Sequence, residues 1–286
     1  MAGAGRVPVA TAVAAAARTL AAAGVASPRA DAELLAAHVL GVGRGGLALA
    51  GGFTPAQQQR YAQLVDRRAE RIPLQHLTGT VGFGRLELAV GPGAFVPRPE
   101  TELLAQWAVA TGGALVVDLA SGTGALALAI AHELPAARVV AVERSGAALR
   151  WLRRNAAARA AAGDRAVTVV AGDVADPALL AGLAGAVDLV VGNPPYVPAG
   201  TPVPPEVADH DPPEAVFAGP DGLAVIRPML DRAAALLRPG GWLGLEHDVS
   251  HAAVLPGLLR PRFTRIAVHP DLAGRPRYAT GQRVAD

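Results

Sequence analysis

At 286 residues the chain exceeds one average domain, so two domains are the first expectation. Hydrophobic residues make up 51% and charged residues 17%, enough apolar surface for a substantial core, which excludes a disordered class. There is no cysteine, and this excludes a disulfide framework, a zinc-thiolate site and a cysteine nucleophile. All 26 basic residues are arginine, and the formal net charge is only +2. The sequence pI of 9.6 overstates basicity, because almost nothing titrates between neutral pH and the arginine range.

The first residues are alanine-rich, but Arg6 and Arg18 interrupt them and no long apolar core of a signal or spanning segment is present. No membrane insertion is expected, and the expected location is cytoplasmic. From Pro8 to about Ile72 apolar residues recur at helical spacing, as in Ala32, Leu35, Ala36, Val39 and Leu40 after the cap Ser27-Pro28. Glycine-rich breaks at 41–46 and 51–55 divide the stretch into several short helices, the last over 55–71. A small helical domain over 1–76 follows. Its arginines Arg60, Arg67, Arg68 and Arg71 form a cluster able to meet RNA or an acidic partner, although such runs are usually a solvated helix face.

Residues 77–97 change texture. Gly79, Gly82, Gly84, Gly91 and Gly93 punctuate an alternating segment, the pattern of a β-hairpin linker. Over 98–286, apolar runs at 114–118, 138–143, 166–170, 187–191 and 241–246 alternate with helical stretches, which predicts a doubly wound, mostly parallel sheet. Two further candidates, 263–268 and 277–283, have no convincing helix between them and read as an antiparallel edge pair. The fold class is therefore α/β: a Rossmann-like, seven-stranded sheet with an antiparallel edge hairpin, preceded by a small all-helical domain.

Asp118 ends the first of these strands, and Ala120, Ser121, Gly122 and Gly124 turn the chain into a helix. Glycines there let backbone approach a ligand, although the same turn suits any strand-to-helix junction. Glu143 closes the next strand about 20 residues on, the spacing at which a carboxylate accepts ribose hydroxyls. Three-glycine dinucleotide spacing is lacking, so a nucleoside without phosphates fits better. Asp173, in the loop after the third strand, could accept from an adenine amino group or serve as an ordinary turn aspartate.

Asn193-Pro194-Pro195-Tyr196 follows the buried strand 187–191, at the sheet edge where such folds bind ligands. Consecutive prolines fix φ and remove two donors, leaving carbonyls held in one direction. A planar nitrogen is a poor nucleophile. The Asn193 side-chain oxygen and the Pro194 carbonyl can accept its two N–H bonds as a methyl arrives, and Tyr196 can wall the substrate plane. In-line transfer from a sulfonium needs alignment, so neither a metal nor a covalent intermediate is expected.

From Pro73 onward the chain resembles the peptide chain release factor glutamine methyltransferase family. The resemblance rests on Phe95-Val96-Pro97-Arg98-Pro99-Glu100-Thr101-Glu102, on Asp118 to Gly124, and on Asn193 to Tyr196. It also rests on Asp209-His210-Asp211-Pro212, Gly219-Pro220-Asp221-Gly222-Leu223 and Leu245-Glu246-His247. It implies methylation, by S-adenosyl-L-methionine, of the glutamine side-chain amide in a Gly-Gly-Gln loop of a class 1 release factor, yielding S-adenosyl-L-homocysteine. It further implies a helical N-terminal domain that assists recognition. Carried over residue by residue, Asp118, Ala120, Ser121, Gly122, Gly124, Glu143, Asp173 and Asn193 hold the cofactor. Asn193, Pro194, Pro195 and Tyr196 form the catalytic motif, Asn193 and Pro194 binding the amide. Phe95 and Tyr196 bracket that amide, and Arg98 sits on the substrate side, supporting the loop between domains.

Two positions depart from the family pattern. Ala120 replaces a glycine and calls for φ below zero, and Asp248 stands where glycine commonly follows Glu-His. The rival readings are an amino-group methyltransferase of DNA or RNA, sharing the Asn193 motif, and a noncatalytic protein that docks on the translation machinery. No basic target-recognition insert is visible, so nucleic acid is not the expected substrate. A monomer is expected. His247, Asp248 and His251 read as a solvated turn and not a metal site. Trp107, Trp151, Met229 and Trp242 read as packing residues.

Overall fold

The structure is a computed structural model and describes residues 6–285. It divides into two compact units: residues up to Thr80 together with Pro204–His210, and Val81–Val203 together with the chain from Asp211 onward.

The first unit is helical: α1 (Val9–Ala22), α2 (Pro28–Leu40), α3 (Pro55–Ala69) and α4 (Leu74–Thr78), with one later turn, α8 (Pro205–Ala208). Proline at the first position starts α2, where its missing N–H costs nothing, and Gly41 at φ +68 ends it. A capping box starts α3, with the Thr54 hydroxyl accepting from the Gln57 N–H and the Gln57 side chain accepting from the Thr54 N–H. Leu20, Leu35, Phe53 and Tyr61 fill the core. Phe53 stacks on Tyr61 at 5.0 Å, and the Tyr61 hydroxyl donates to the Ala32 carbonyl at 2.9 Å.

The arginine cluster departs from the expected solvated face. Arg60 and Arg67 are exposed, but Arg68 is buried and donates to Asp31 Oδ2 and to Glu206 Oε1, each at 2.8 Å. Arg71, in a left-handed backbone at φ +66, grips Glu206 with two bonds of 2.8 and 2.6 Å. A guanidinium is removed from water only when its charge is matched, and Glu206 supplies the match from far along the chain. Burial works against the ionised Glu206 carboxyl, but its bonds to Arg71 and Arg68 prevail and hold it down at about 2.

Near the start of the second unit lies a two-stranded sheet of β1 (Thr80–Phe83) and β2 (Leu86–Ala89), of which only Thr80 belongs to the first unit. Its main sheet has seven strands in the order β5-β4-β3-β6-β7-β9-β8. These are β3 (Leu115–Leu119), β4 (Arg138–Glu143), β5 (Thr168–Ala171), β6 (Val187–Gly192), β7 (Leu237–Glu246), β8 (Phe263–Pro270) and β9 (Pro276–Arg283). The strands from β3 to β7 pair in parallel, while β9 lies antiparallel between β7 and β8, the edge pair that the sequence predicts. The helices are α5 (Thr101–Thr111), α6 (Ala125–Glu133), α7 (Gly146–Ala161), α9 (Ile226–Leu236) and α10 (Leu255–Leu259).

Alternation along the strands divides the core into two layers. Val116, Val139, Ala141, Leu189 and Val191 join one with Leu104, Leu126 and Leu152, whereas Val117, Val140, Val142 and Val190 join the other with Met229, Leu230 and Leu255. Strands buried on both faces need continuous apolar runs, which is why they read as such in the sequence. Strand order reverses between β3 and β6, so the crevice at their carboxyl ends is where this architecture places ligands. Met229 is fully buried, and Trp107 and Trp242 meet edge to face at 6.3 Å. Among the described residues no helix is long and apolar enough to cross a membrane.

Candidate active site

The turn after β3 forms one wall of the crevice. Glu143, ending β4, accepts from the Gly122 N–H at 2.8 Å and the Ser145 N–H at 2.7 Å. Backbone donors thus fix a carboxylate on the rim. Asp118 lies deeper and fully buried; its Oδ2 accepts from the Ala127 N–H at 3.2 Å. Its Oδ1 finds no partner among the described residues, and burial pushes its carboxyl up to about 7. Ser121 donates its hydroxyl to the Asp118 carbonyl, so it shapes the turn.

The two glycines of the turn serve different ends. A side chain at Gly122 (φ +57) would meet nothing within 4 Å, as a ligand-facing surface requires. At Gly124 (φ +91) it would lie 2.5 Å from Leu152 Cδ1, so that glycine lets α7 pack closely. Ala120 corrects the sequence reading: its φ is +64, not below zero. The position needs a left-handed backbone, and alanine adopts it at a cost of about 1 kcal/mol.

A depression beside this turn is lined by Ala120, Glu143, Asp173, Pro195 and Val225, among others. It therefore joins the three successive strand-end loops to the Asn-Pro-Pro-Tyr segment. Asp173 is half-exposed; its Oδ1 accepts from the Ala175 N–H, and its Oδ2 from Arg144 at 3.4 Å. The rim presents carboxylates and an open backbone turn, and these acceptors fit the hydroxyls of an uncharged ribose and an adenine amino group better than phosphates.

Gly192 ends β6 where a side chain would come within 2.6 Å of the Leu119 carbonyl, so the following motif sits hard against the first strand's end. Asn193 Nδ2 donates to Thr101 Oγ1 at 3.0 Å, and Thr101 Oγ1 donates to Glu246 Oε2 at 2.7 Å. The Tyr196 hydroxyl donates to the other oxygen, Glu246 Oε1, at 2.8 Å, and Arg277 lies 3.5 Å from that hydroxyl. Burial raises the Glu246 carboxyl, against the bonds from Thr101 and Tyr196. Burial, then the Glu246 charge, raises the Tyr196 phenol.

Phe95 and Arg98 contact one another, the guanidinium 4.7 Å from the ring centre, and Arg98 donates to buried Asp211 at 2.7 Å. A second correction concerns His247 and His251, which are buried and not part of a solvated turn. Ring nitrogens of His247 and His251 sit at 2.8 Å from the Asp248 carbonyl and 2.9 Å from the Asp221 carbonyl. Asp248 caps the short turn by accepting from the Ser250 N–H at 2.9 Å, a task glycine could not perform. Thr101, Glu246 and Arg277 reach the motif without having been singled out as site residues. The first two lie inside recognised segments, but nothing in linear spacing joins positions 101, 193 and 246.

Comparison with known proteins assigns the class. The family model described as methyltransferase small domain matches residues 99–208. The fold is shared with the Thermus thermophilus 16S rRNA N2 G1207 methyltransferase, solved with AdoMet and guanosine. That match has a TM-score of 0.50 at 24% identity and covers 71% of this chain and 49% of that one. The chain is an S-adenosylmethionine-dependent methyltransferase.

A model described as PrmC N-terminal domain matches residues 11–79. The release factor glutamine methyltransferase of Mycolicibacterium smegmatis is 54% identical over 280 residues, covering 96% of this chain and 98% of its own. Those of Streptomyces coelicolor (47% identical, 95% and 96% covered) and Deinococcus radiodurans (43%, 91% and 93%) are similar throughout. The chain belongs to the release factor glutamine methyltransferase family.

Proposed function

We propose that this chain methylates the side-chain amide nitrogen, N5, of the glutamine in the Gly-Gly-Gln loop of a class 1 peptide chain release factor, acting as a monomer. The observation that carries the reading is the Asn193 amide, held by its nitrogen so that its oxygen is left to accept from a substrate. A primary amide has two N–H bonds, and the Asn193 oxygen and the Pro194 carbonyl are two acceptors on a proline-stiffened loop. Accepting both bonds orients the nitrogen and favours the charge that grows on it during transfer. Phe95 and Tyr196 bracket the amide plane, with Arg98 steadying Phe95.

Glu143 and Asp173 would hold the ribose and adenine of S-adenosylmethionine, with Asp118, Ala120, Ser121, Gly122 and Gly124 forming the turn beneath it. When bound, that cofactor supplies a methyl group on a positively charged sulfur, already activated for displacement. Asn193 and Pro194 would hold the nitrogen lone pair in line with that methyl group, so that the N–C bond could form as the sulfur kept the electron pair of the S–C bond. The nitrogen then loses one proton to solvent, leaving the methylamide.

The test offers a release factor, the same factor with its Gly-Gly-Gln glutamine replaced by alanine, and nucleic acid to the enzyme with methyl-labelled cofactor. Label should enter only the first. Label in nucleic acid, or equal label in the alanine variant, would overturn the reading.

A further inference from the structure

We infer that Thr101 and Glu246 are positioning residues for methyl transfer: together they set which end of the Asn193 amide faces the substrate. The inference rests on the proposed role of Asn193 and extends it to two residues outside the motif. An asparagine side chain can be turned end for end with little change of shape, yet only its oxygen can accept a substrate N–H. Something must choose the end.

The hydrogen-bond chain makes that choice by elimination. Glu246 accepts at both oxygens, from Thr101 at 2.7 Å and from Tyr196 at 2.8 Å. A threonine hydroxyl has a single proton, and Thr101 commits it to Glu246. Toward Asn193, Thr101 can then only accept. The Asn193 NH2 must face it, as the 3.0 Å contact records, and Oδ1 is turned the other way. One buried carboxylate thereby orients both polar side chains of the Asn-Pro-Pro-Tyr motif.

The three anchors stand on rigid elements: Thr101 opens α5, Glu246 ends β7, and Asn193 follows β6 directly. Glu246 and Thr101 are 1% and 4% exposed. A carboxylate taken out of water and held by two neutral hydroxyls gains less stability than well-packed apolar side chains would give. Orientation of its donors is the return that explains it here.

The test compares Thr101→Val, which keeps shape and removes the hydroxyl, with Thr101→Ser, which keeps the hydroxyl. Thr101→Val should lower kcat on a release factor about 10- to 100-fold, as slight misplacement of a reacting group does. Cofactor Kd should be unchanged, and Thr101→Ser should restore most of kcat. Wild-type kcat in Thr101→Val, or a serine variant as slow as valine, would overturn the inference. In the wild-type protein one Asn193 side-chain N–H should exchange slowly with solvent; both exchanging freely would also overturn it. That measurement needs no turnover, so it stands even if Thr101→Val does not fold. It also separates this inference from the functional reading, which stands or falls on where the wild-type enzyme places its label.

Discussion

Each unit of this protein holds a glutamate between side-chain donors and surrounds it differently. Glu206, in the helical unit, is clamped by two guanidiniums through three hydrogen bonds of 2.6 to 2.8 Å. Glu246, in the methyltransferase unit, is met by two neutral hydroxyls. Cations bonded to a carboxylate lock it in place; hydroxyls bonded to one are themselves aligned by it, here with the Arg277 charge standing behind the Tyr196 hydroxyl. The first arrangement holds chain segments together. The second transmits direction to a loop.

The comparison breaks most sharply at Asn193. Asn193→Ala removes the acceptor at the end of the hydroxyl relay while leaving Thr101 and Tyr196 on Glu246. Transfer should fall about 1,000-fold in kcat, the scale seen when one transition-state hydrogen bond is lost, with cofactor Kd changed far less than kcat and melting temperature nearly unchanged. Single-turnover kinetics and calorimetry would read both. Collapse of cofactor binding would show that the relay serves the pocket instead.

Glu206→Gln is the mirror experiment. It strips the matching charge from Arg68 and Arg71 and should cost about 2 kcal/mol, or roughly 5 °C in melting temperature. Saturated kcat well below the transition should not change. The wild-type contribution has a defined pH window. Because the Glu206 carboxyl sits near 2 in the folded state, below its ordinary value of 4.5, its stabilisation is complete above about pH 4.5 and is lost as pH falls toward 2. Melting temperatures of the two proteins should converge over that window. The smallest effect is expected at Ala120→Gly, which relieves a left-handed alanine and should stabilise by about 0.5–1 kcal/mol, read as a higher urea midpoint.

How much of this was legible in the sequence depended on range. The buried parallel strands announced themselves as apolar runs, yet β7 starts at Leu237 and not at 241, because Arg238, Pro239 and Gly240 read as a turn. The edge strand β5, only partly buried, begins at Thr168 and not at 166, since half-buried residues give weaker periodicity. Motif residues Glu143, Asp173 and Pro195 do converge on one depression. What could not be read was pairing at a distance: Thr101 with Glu246 across 145 positions, and Arg68 with Glu206 across 138. A hydrogen bond leaves no periodic trace in a sequence. Nor does a backbone angle, and the left-handed Ala120 carries no mark in its neighbours.

The membership of Pro204–His210 in the helical unit has a topological consequence. That unit is assembled from two stretches of chain separated by more than a hundred residues. A fragment ending at Thr80 would carry Arg68 and Arg71 but not their shared counter-ion, so excision at the obvious linker would leave Arg68 with Asp31 alone and strip Arg71 of its carboxylate partner. The helical module is thus not a cassette closed at Thr80: part of it is supplied by the chain that follows β6.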